Sequence, residues 1–285
     1  MSALKSIRQT FLPDPFCVFV KVDASQIEDR MCKMYCRTPR MVELANTKPW
    51  EYDTHTESGK AIFGKDKITP QERYLGKTTV HGLWRDLGAE KMSESISKGT
   101  DGKLFITVKD CQKLIDKAHQ VMPEIKEVFM PWVRKEIQTF GRLVNSWGRV
   151  WDVTDLRIDA DLYRKGYSFP SQSEDADWTN QYGVRPGHFY MMTRYGKPLN
   201  MQIHDEVVAS VPPAEAYDFA NFIRLAMEQT REIPRGSGLK VTIPVEIKVS
   251  TTLYGGVEFK RFPERGAFDK KVNEYLEKEK SDAKS

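Results

Sequence analysis

The chain has 285 residues and a formal net charge of +4, with 40% hydrophobic and 29% charged residues. This composition is typical of a globular protein and excludes a disordered or fibrous one, while the small positive charge alone identifies no partner. Since no apolar run approaches the roughly 18 to 20 residues of a membrane span, we expect no association with a membrane.

The predicted elements begin with a β-rich run, Cys17 to Asp23, that ends in a carboxylate and leads into a helix over about 26–45. Further along, the patterns predict a helix over 70–86 with Pro70 in its first turn, one or two amphipathic helices over 111–140, a β-turn-β element over 141–153, a strand pair over 201–210, a helix over 213–231 and a strand over 241–249. Residues 162–169 are ambiguous. The charged stretch 268–285 predicts a solvated helix or a frayed tail.

Two strand-forming runs carry acidic residues at their ends. One ends at Asp23, and the other places the Asp205-Glu206 pair between short apolar strands. Turn aspartates usually lie beside Gly or Asn, so apolar residues on both sides are unusual, although solvated turn acids remain the alternative for either run alone. If the two tips are neighbours, they form an acidic pocket. Such carboxylates bind Mg²⁺ together with substrate phosphates, and two ions about 4 Å apart support an in-line phosphoryl displacement.

These runs resemble conserved motifs of a known family. Asp23-Ala-Ser-Gln-Ile-Glu-Asp-Arg30 resembles motif A of the family A DNA polymerases, and Ile203-His-Asp-Glu206 resembles their motif C. The resemblance implies that Asp23 and Asp205 hold two Mg²⁺ ions, for which Mn²⁺ could substitute, and that Glu206 supports this catalytic site.

The same resemblance implies roles for three neighbouring residues. His204 would touch the primer terminus, and Gln26 would contact the incoming deoxynucleoside triphosphate (dNTP). Glu28 would be the steric gate that occupies the space of a ribose 2′-hydroxyl.

A basic stripe is predicted on the helix over 70–86. Arg73, Lys77 and His81 are spaced four residues apart and share one helix face, which suits a triphosphate but is more often a solvated face. The stretch resembles motif B of the same family. By this resemblance Arg73 and His55 grip the outer phosphates of the dNTP. Lys77 would contact the α-phosphate as a catalytic residue, and His81 would stack near the incoming base and sugar.

Two positions of this helix depart from the family pattern. The family has Phe or Tyr at the position of His81 and commonly Tyr at the position of Arg85. We expect Arg85 to pair with Glu28, which replaces a neutral hydrogen bond by a charged one. The departures leave the reaction class intact and concern sugar discrimination and fidelity.

Two further positions resemble family residues that contact the primer–template minor groove. These are Arg164 and Gln172, with Ser168 between them where the family usually has Asn. The resemblance covers about residues 6–262.

Several family elements are missing from the sequence. The Thr-Gly-Arg-x-Ser-Ser and Pro-Asn-Leu-Gln elements that hold the duplex do not occur, and only 22 residues precede Asp23. We therefore expect a chain without thumb and exonuclease domains, and a second polymerase subunit that supplies both, with Phe11, Phe16 and Phe19 facing it. A split polymerase of a virus such as a bacteriophage is favoured over a fragment or a degenerate copy.

The expected location and redox state follow from the chain's first residues and its cysteines. No apolar signal-peptide core follows the first methionine, which favours the cytoplasm, that of the host cell if the protein is viral. Two thiols on one helix face make a poor zinc site, so we expect buried, reduced thiols at Cys17, Cys32, Cys36 and Cys111.

The expected fold is α+β. A polymerase palm, an antiparallel sheet with helices, would comprise residues 1–32 and 151–262, with a mostly helical fingers insertion over 33–150 and a charged tail over 263–285. The expected function is template-directed DNA synthesis from dNTPs on a primer–template in DNA replication. A non-catalytic nucleic-acid-binding subunit is the alternative, although it predicts the loss of an aspartate or of Lys77, and all are present. An RNA-synthesising relative is disfavoured by Glu28.

Overall fold

The computed structural model describes residues 7–282, which form two compact units. The sheet unit comprises the described residues of Met1–Ile27, Asp175–Thr230 and Thr242–Ser285. The helical unit comprises Glu28–Glu174 and Arg231–Val241. None of the helices found over this stretch is both long and apolar enough to cross a membrane.

The strands and helices alternate irregularly along the chain. The strands are β1 (Val18–Ala24), β2 (Arg142–Val144), β3 (Val150–Asp152), β4 (Met201–Ile203), β5 (Glu206–Val211), β6 (Arg231–Glu232), β7 (Lys240–Val241), β8 (Val245–Ser250) and β9 (Val257–Phe259). The α-helices range from 8 to 19 residues and are α1 (Ile27–Cys36), α2 (Pro39–Asn46), α3 (Thr54–Phe63), α4 (Pro70–Trp84), α5 (Ala89–Gly99), α6 (Val108–Val121), α7 (Met130–Phe140), α8 (Ala160–Trp178), α9 (Arg185–Tyr195), α10 (Ala216–Met227) and α11 (Arg265–Asp282). Short π-helical turns cover Ile125–Phe129 and Thr179–Val184, and a 3₁₀ turn covers Pro213–Glu215.

The sheet unit is built on a five-stranded antiparallel sheet of order β4-β5-β1-β8-β9. Central strand β1 is a run of β-branched and aromatic residues with a single lysine, which suits a pleated, buried position. Its valines at positions 18, 20 and 22 share one face and are at most 1% exposed, and helix α10 packs against β1. The opposite face carries Phe19, Lys21 and Asp23, because side chains alternate along a strand.

The C-terminal helix α11 packs one face onto the sheet unit. Phe268 is fully buried and stacks on Phe259 with ring centroids 4.5 Å apart, and Val272 is also buried. The remaining residues of this helix are mostly charged and exposed. The predicted solvated element is therefore a helix, and two of its apolar side chains pack against the sheet unit.

The helical unit contains α1 except its first residue, α2 to α7, the part of α8 up to Glu174, and two small ribbons, β2-β3 and β6-β7. Helices α3 and α4 lie unusually close where Gly59 meets Gly76. A Cβ atom on Gly76 would lie 2.9 Å from the Cα atom of Gly59 and 3.0 Å from the carbonyl oxygen of His55. Only glycine permits this approach of one backbone to the other.

Most of the predicted elements are confirmed. The strand pair over 201–210 is β4-β5, and the predicted helix over 70–86 is α4, which begins at Thr69 with a capping box and Pro70 in its first turn. The ambiguous residues 162–169 lie inside α8, and α5 was not predicted from the sequence. The boundaries between the two units lie between residues 27 and 28 and between residues 174 and 175, and residues 231–241 also belong to the helical unit. The names palm and fingers, with their predicted boundaries, stay a prediction.

The cysteines agree with the expectation of reduced thiols. All four are free, and Cys32, Cys36 and Cys111 are buried, whereas Cys17 is half-buried.

Candidate active site

The sheet unit gathers carboxylates at one end of its sheet. Asp23, near the end of β1, lies opposite Glu206 of β5 and opposite Glu246 of β8. Directly opposed side chains of antiparallel strands share a face, so these three carboxylates form one row. We call them the acidic row. The strand register places the acidic ends of the two sequence runs next to each other, and Glu246 is an additional acid that the sequence motifs did not indicate.

Asp205 reaches the same end of the sheet through a two-residue turn. Ile203 pairs with Glu206, so His204 and Asp205 alone connect β4 to β5. His204 adopts a left-handed backbone, with φ of 61°. The carbonyl oxygen of Asp205 accepts a 3.3 Å hydrogen bond from the amide of Ala24, which ties this turn to the end of β1.

The imidazole of His204 lies among acids. Its Nδ1 atom is 3.3 Å from the Asp175 carboxylate and 3.5 Å from that of Asp205, while the side chain is 63% exposed. Asp175 is buried near the end of α8, in the part of that helix that belongs to the sheet unit. His204 is thus oriented by carboxylates and accessible to solvent.

The acidic row is electrostatically crowded. Burial, followed by the charges of Asp205, Glu206 and Glu246, raises the pKa of Asp23 to about 7. Burial also raises the pKa values of Glu206 and Glu246. A cation bound among these oxygens would relieve the repulsion, and hard divalent ions prefer carboxylate oxygens. The residues present therefore fit a divalent metal ion.

The basic stripe lies in the helical unit along α4. Arg73 donates from Nε to Asp53 at 3.2 Å and to the Thr56 hydroxyl at 3.1 Å, and it forms an ion pair with Asp53. Asp53 is also the N-cap of α3, accepting from the amides of His55 and Thr56. One carboxylate therefore caps α3 and holds Arg73, a role that sequence reasoning missed although Asp directly before a helix is a cap signal.

Lys77 and His81 continue the stripe. Lys77 is exposed and takes part in none of the ion pairs found among residues 7–282. The His81 ring lies 5.2 Å from the ring of His55, which is 4% exposed and has a buried Nδ1 without a hydrogen-bond partner. Burial lowers the pKa of His55 to about 4 and also lowers the pKa of His81. Both rings are therefore neutral near pH 7, and only Arg73 and Lys77 carry full charges on this face.

The predicted pairing of Arg85 with Glu28 is confirmed. Arg85 Nη2 donates to Glu28 Oε2 at 2.6 Å, and His81 Nδ1 lies 3.9 Å from the same oxygen. Arg85 ends α4 as its C-cap residue, which places it one turn beyond His81. The Glu28 carboxylate is only 13% exposed, so the ion pair holds it in one position.

A buried polar network beneath this region was not predicted. Lys33 donates to Asp29 at 2.6 Å and to Thr54 at 2.8 Å, and the Trp84 indole donates to Asp29 at 2.9 Å. Burial disfavours the charged form of Asp29, but Lys33 outweighs it and holds the pKa of that carboxyl at about 2. The network links α1, α3 and α4. Its only sequence signal is the spacing of four between Asp29 and Lys33.

The remaining predicted site residues take part in none of the hydrogen bonds and ion pairs described above for residues 7–282. Arg164 and Gln172 lie on α8, where Arg164 is 3.6 Å from Asp161 and Gln172 is exposed. Gln26 lies in the turn between β1 and α1 with a left-handed φ of 56°. Nothing in their contacts tests the predicted nucleic-acid or nucleotide roles, which stay predictions.

One expectation about the phenylalanines is wrong. Phe19 was predicted to face a partner, but it is 2% exposed and packs with Val208 and Leu253. It lies on the central strand β1, on the sheet face that Val208 of β5 and Leu253, just after β8, also cover. Phe11 and Phe16, which precede β1, are 48% and 98% exposed.

The class of fold follows from these features: an α+β protein with an acidic end on an antiparallel sheet and a separate helical unit. It matches the fold of the POL domain of Pol1 from M. smegmatis, solved in complex with DNA primer-template and dNTP, with a TM-score of 0.69 and 18% identity over 89% of this chain and 43% of that one.

The chain belongs to DNA polymerase family A, whose profile matches residues 1–254. DNA polymerase I of Synechocystis is 25% identical over 248 residues, which cover 79% of this chain and 24% of that protein. The thermostable DNA polymerase I of Thermus aquaticus is 23% identical over 253 residues, covering 85% of this chain and 27% of that protein. The chain thus spans about a quarter of the length of these relatives.

Proposed function

We propose that the chain carries the catalytic residues of a template-directed DNA polymerase, which joins a dNTP to a primer 3′-hydroxyl during DNA replication. The observation that carries this proposal is the gathering of Asp23, Asp205 and Glu206 at one end of the sheet in a member of DNA polymerase family A. Nucleotidyl transfer needs such a carboxylate group, because hard oxygen donors position the divalent cations of phosphoryl-transfer enzymes.

Asp23 and Asp205 are proposed as the metal ligands. Two bound Mg²⁺ ions, or Mn²⁺ in their place, would supply Lewis-acid stabilisation to the attacking and leaving oxygens. Glu206 adds a negative charge beside Asp23. Because Glu206 pairs with Asp23 in the β-sheet, its side chain points to the same face as that of Asp23. His204, held by the Asp175 and Asp205 carboxylates and exposed on its outer side, is proposed to contact the primer terminus.

The α4 stripe is proposed to bind the triphosphate. Lys77 is the cation on this face without a carboxylate partner among the described residues, so it is available to a phosphate oxygen. Arg73 is held by Asp53 and Thr56 and would share its guanidinium between Asp53 and the outer phosphates. The buried His55 presents a neutral ring beside the neutral His81 ring, and both would contact the nucleotide as hydrogen-bonding or stacking groups.

The Glu28–Arg85 pair is proposed to exclude ribonucleotides. A carboxylate held at 2.6 Å by a guanidinium is fixed in place and fills space that a 2′-hydroxyl would need. Gln26, in its left-handed turn, is proposed to contact the dNTP, and Arg164 and Gln172 are proposed to contact the primer–template.

A second subunit is proposed to supply the thumb and exonuclease functions and to complete the binding of the duplex. Such a division between two subunits would be that of a bacteriophage split polymerase. Specific nucleic-acid complexes bury on the order of 1,000–2,500 Å² of protein surface, and phosphate contacts dominate their affinity. A net charge of +4 supplies few of the phosphate contacts that such an affinity requires. The exposed Phe11 and Phe16 side chains offer apolar surface that suits a protein partner.

Primer extension tests the proposed activity. The purified chain, with and without the protein encoded beside it, is given a radiolabelled primer–template, dNTPs and Mg²⁺. We expect extension, stronger and less salt-sensitive with the second protein, and its loss in Asp23→Asn and Asp205→Asn. The matched control is Asp218→Asn, which removes a surface acid paired with Arg265 and should extend primers like the wild type.

The outcomes separate the two proposals. Extension that persists within tenfold in both aspartate variants would contradict the metal-ligand assignment. Processive synthesis by the chain alone at physiological salt would contradict the need for a second subunit.

A further inference from the structure

The face of the sheet that carries the acidic row also carries a second charged row. One step further along the strands, Lys21 of β1 lies opposite Lys248 of β8, which lies opposite Glu258 of β9. Side chains two residues apart on a strand point the same way and are roughly 7 Å apart. Two lysines therefore border the carboxylates of Asp23, Glu206 and Glu246 on one face.

This arrangement has a cost that packing does not explain. Lysines directly opposite one another across antiparallel strands repel and normally destabilise a sheet. Lys21 is also 3% exposed, and among residues 7–282 its ammonium group donates only to the carbonyl oxygens of Leu253, at 3.2 Å, and Gly255, at 3.1 Å. A buried ammonium without a carboxylate in contact is expensive, so an apolar residue at position 21 would suit the fold better.

Both lysines act electrostatically on the acidic row. Lys248 lies 3.0 Å from Glu258, and its charge also stabilises the ionised forms of Asp23, Glu206 and Glu246. The charge of Lys21 stabilises ionised Glu206 in the same way. The two ammonium groups therefore offset part of the repulsion among the acids while no metal is bound.

We propose that Lys21 and Lys248 are built-in counter-charges that set the affinity of the acidic row for divalent cations. The proposal rests on the proposed function, because it takes Asp23 and Asp205 as metal ligands. Their positive charges reduce the repulsion within the row while no metal is bound, and they weaken the binding of a free divalent ion. Stronger binding then depends on the additional oxygens of a nucleotide triphosphate, which is how Mg²⁺ is usually held with few protein ligands. Both lysines are positioning residues, since neither is assigned a contact with substrate.

The sign of the expected effect distinguishes this role from a structural one. Replacing a lysine by a neutral residue removes a cation about 7 to 10 Å from a bound divalent ion, so the ion should bind about tenfold more tightly. Loss of a merely structural lysine would disorder the row and weaken binding. The two roles therefore predict opposite changes.

The experiment measures Mn²⁺ binding to the full chain without nucleotide, from the electron paramagnetic resonance signal of free Mn²⁺. We expect the Kd to fall about tenfold in Lys21→Met and in Lys248→Met and to stay near the wild-type value in Lys21→Arg. Lys271→Met is the matched control, because Lys271 also donates to a backbone carbonyl, that of Glu258 at 2.9 Å, but is exposed on α11. Its Kd should not change.

Each result decides between explanations. Unchanged or weaker Mn²⁺ binding in both lysine-to-methionine variants would overturn the counter-charge role. If Lys21→Met does not fold, Lys248→Met and Lys21→Gln, which keeps a hydrogen-bond donor but no charge, provide the same comparison. Wild-type Mn²⁺ binding in both Asp23→Asn and Asp205→Asn would instead refute the metal site of the proposed function. Loss of binding there with unchanged lysine variants would refute only the present inference.

Discussion

The acidic end of the sheet unit and the basic face of α4 in the helical unit both concentrate charge, yet they neutralise it differently. At the sheet end, Asp23 faces two further carboxylates and its pKa is raised to about 7. On α4, Arg73 already bonds to Asp53 and Arg85 to Glu28. The acidic end therefore gains directly from an added cation, whereas Arg73 and Arg85 must share their partner acids to bind an anion.

Unpaired acids and paired cations affect the stability of the folded protein in different ways. Crowded acids destabilise the folded protein until a cation arrives, so removing one should favour folding while it removes function. Paired cations contribute to folding in the resting state, so removing one leaves a partner acid without its cation. The predictions below test each side of this comparison.

The largest effect is expected at the acidic end. Asp205→Asn and Asp23→Asn should lower nucleotide incorporation on the order of a thousandfold, about 4 kcal/mol of transition-state stabilisation. The free energy of unfolding of Asp23→Asn without metal should equal or exceed that of the wild type, because the amide removes like-charge repulsion. Single-turnover kinetics and urea denaturation measure the two quantities. A clear decrease in the free energy of unfolding of Asp23→Asn would contradict this view, since it would mean that repulsion among the acids does not destabilise the folded protein.

The next effect distinguishes the two cations of the α4 stripe. Lys77→Ala should lower kcat about a hundredfold, because Lys77 pairs with no acid among residues 7–282 and can act on charge that develops in the transition state. Arg73→Ala should mainly raise the KM for dNTP, about tenfold, since its pairing with Asp53 limits it to ground-state binding. Steady-state kinetics at varied dNTP concentrations distinguish the effect on kcat from the effect on KM. Lys98→Ala, an exposed lysine of α5, is the control and should match the wild type.

A third effect concerns the buried His55. Its folded pKa of about 4 is below the ordinary value of 6.5, so the unfolded state binds more protons between these pH values. Its contribution to stability is complete above pH 6.5 and is lost as the pH falls towards 4. We expect the stability loss between pH 7 and 4.5 to be about 2 kcal/mol smaller in His55→Gln than in the wild type. The exposed His188→Gln should show the wild-type pH dependence in denaturant titrations.

The smallest effect is expected for sugar selection. Glu28→Ala should raise the incorporation of ribonucleotides relative to deoxynucleotides, and Arg85→Ala should do so less, because Glu28 stays in place but loses the group that holds it. Competition between matched ribo- and deoxynucleotides measures the ratio, for which we expect a change of about tenfold for Glu28→Ala. Equal selectivity in both variants and the wild type would remove the pair from the gate role.

The sequence was most informative where chemistry and periodicity coincide. Asp23 and Asp205 follow apolar runs that form strands in any context, so their presence at strand ends was predictable, and the spacing of Arg73, Lys77 and His81 required only a helix. Strand register was not predictable, because nothing local to β8 indicates that Glu246 lies opposite Asp23. The same is true of Phe19, whose burial depends on Val208 and Leu253, both more than 180 positions away in the chain.

The helical unit shows a second limit. Asp53 is readable as a cap of α3, but its bond to Arg73 depends on how α3 and α4 cross. Helix α5 was missed because its small and polar residues give a weak apolar pattern, with only Met92 and Ile96 as large buried side chains. Local signals therefore indicated which groups carry charge, and tertiary packing decided which of them are paired.

The contact between Gly59 and Gly76 has a consequence for how this protein can evolve. At Gly76 the main-chain atoms of α3, rather than adjustable side chains, set the spacing between α3 and α4, so no substitution at this position can tune it gradually. Adaptation of this region to a different ligand is then confined to the side chains displayed along α4. Those positions include His81 and Arg85, where a departure from the family pattern is expected from the sequence, while the close approach at Gly76 limits how far the two helices can move together.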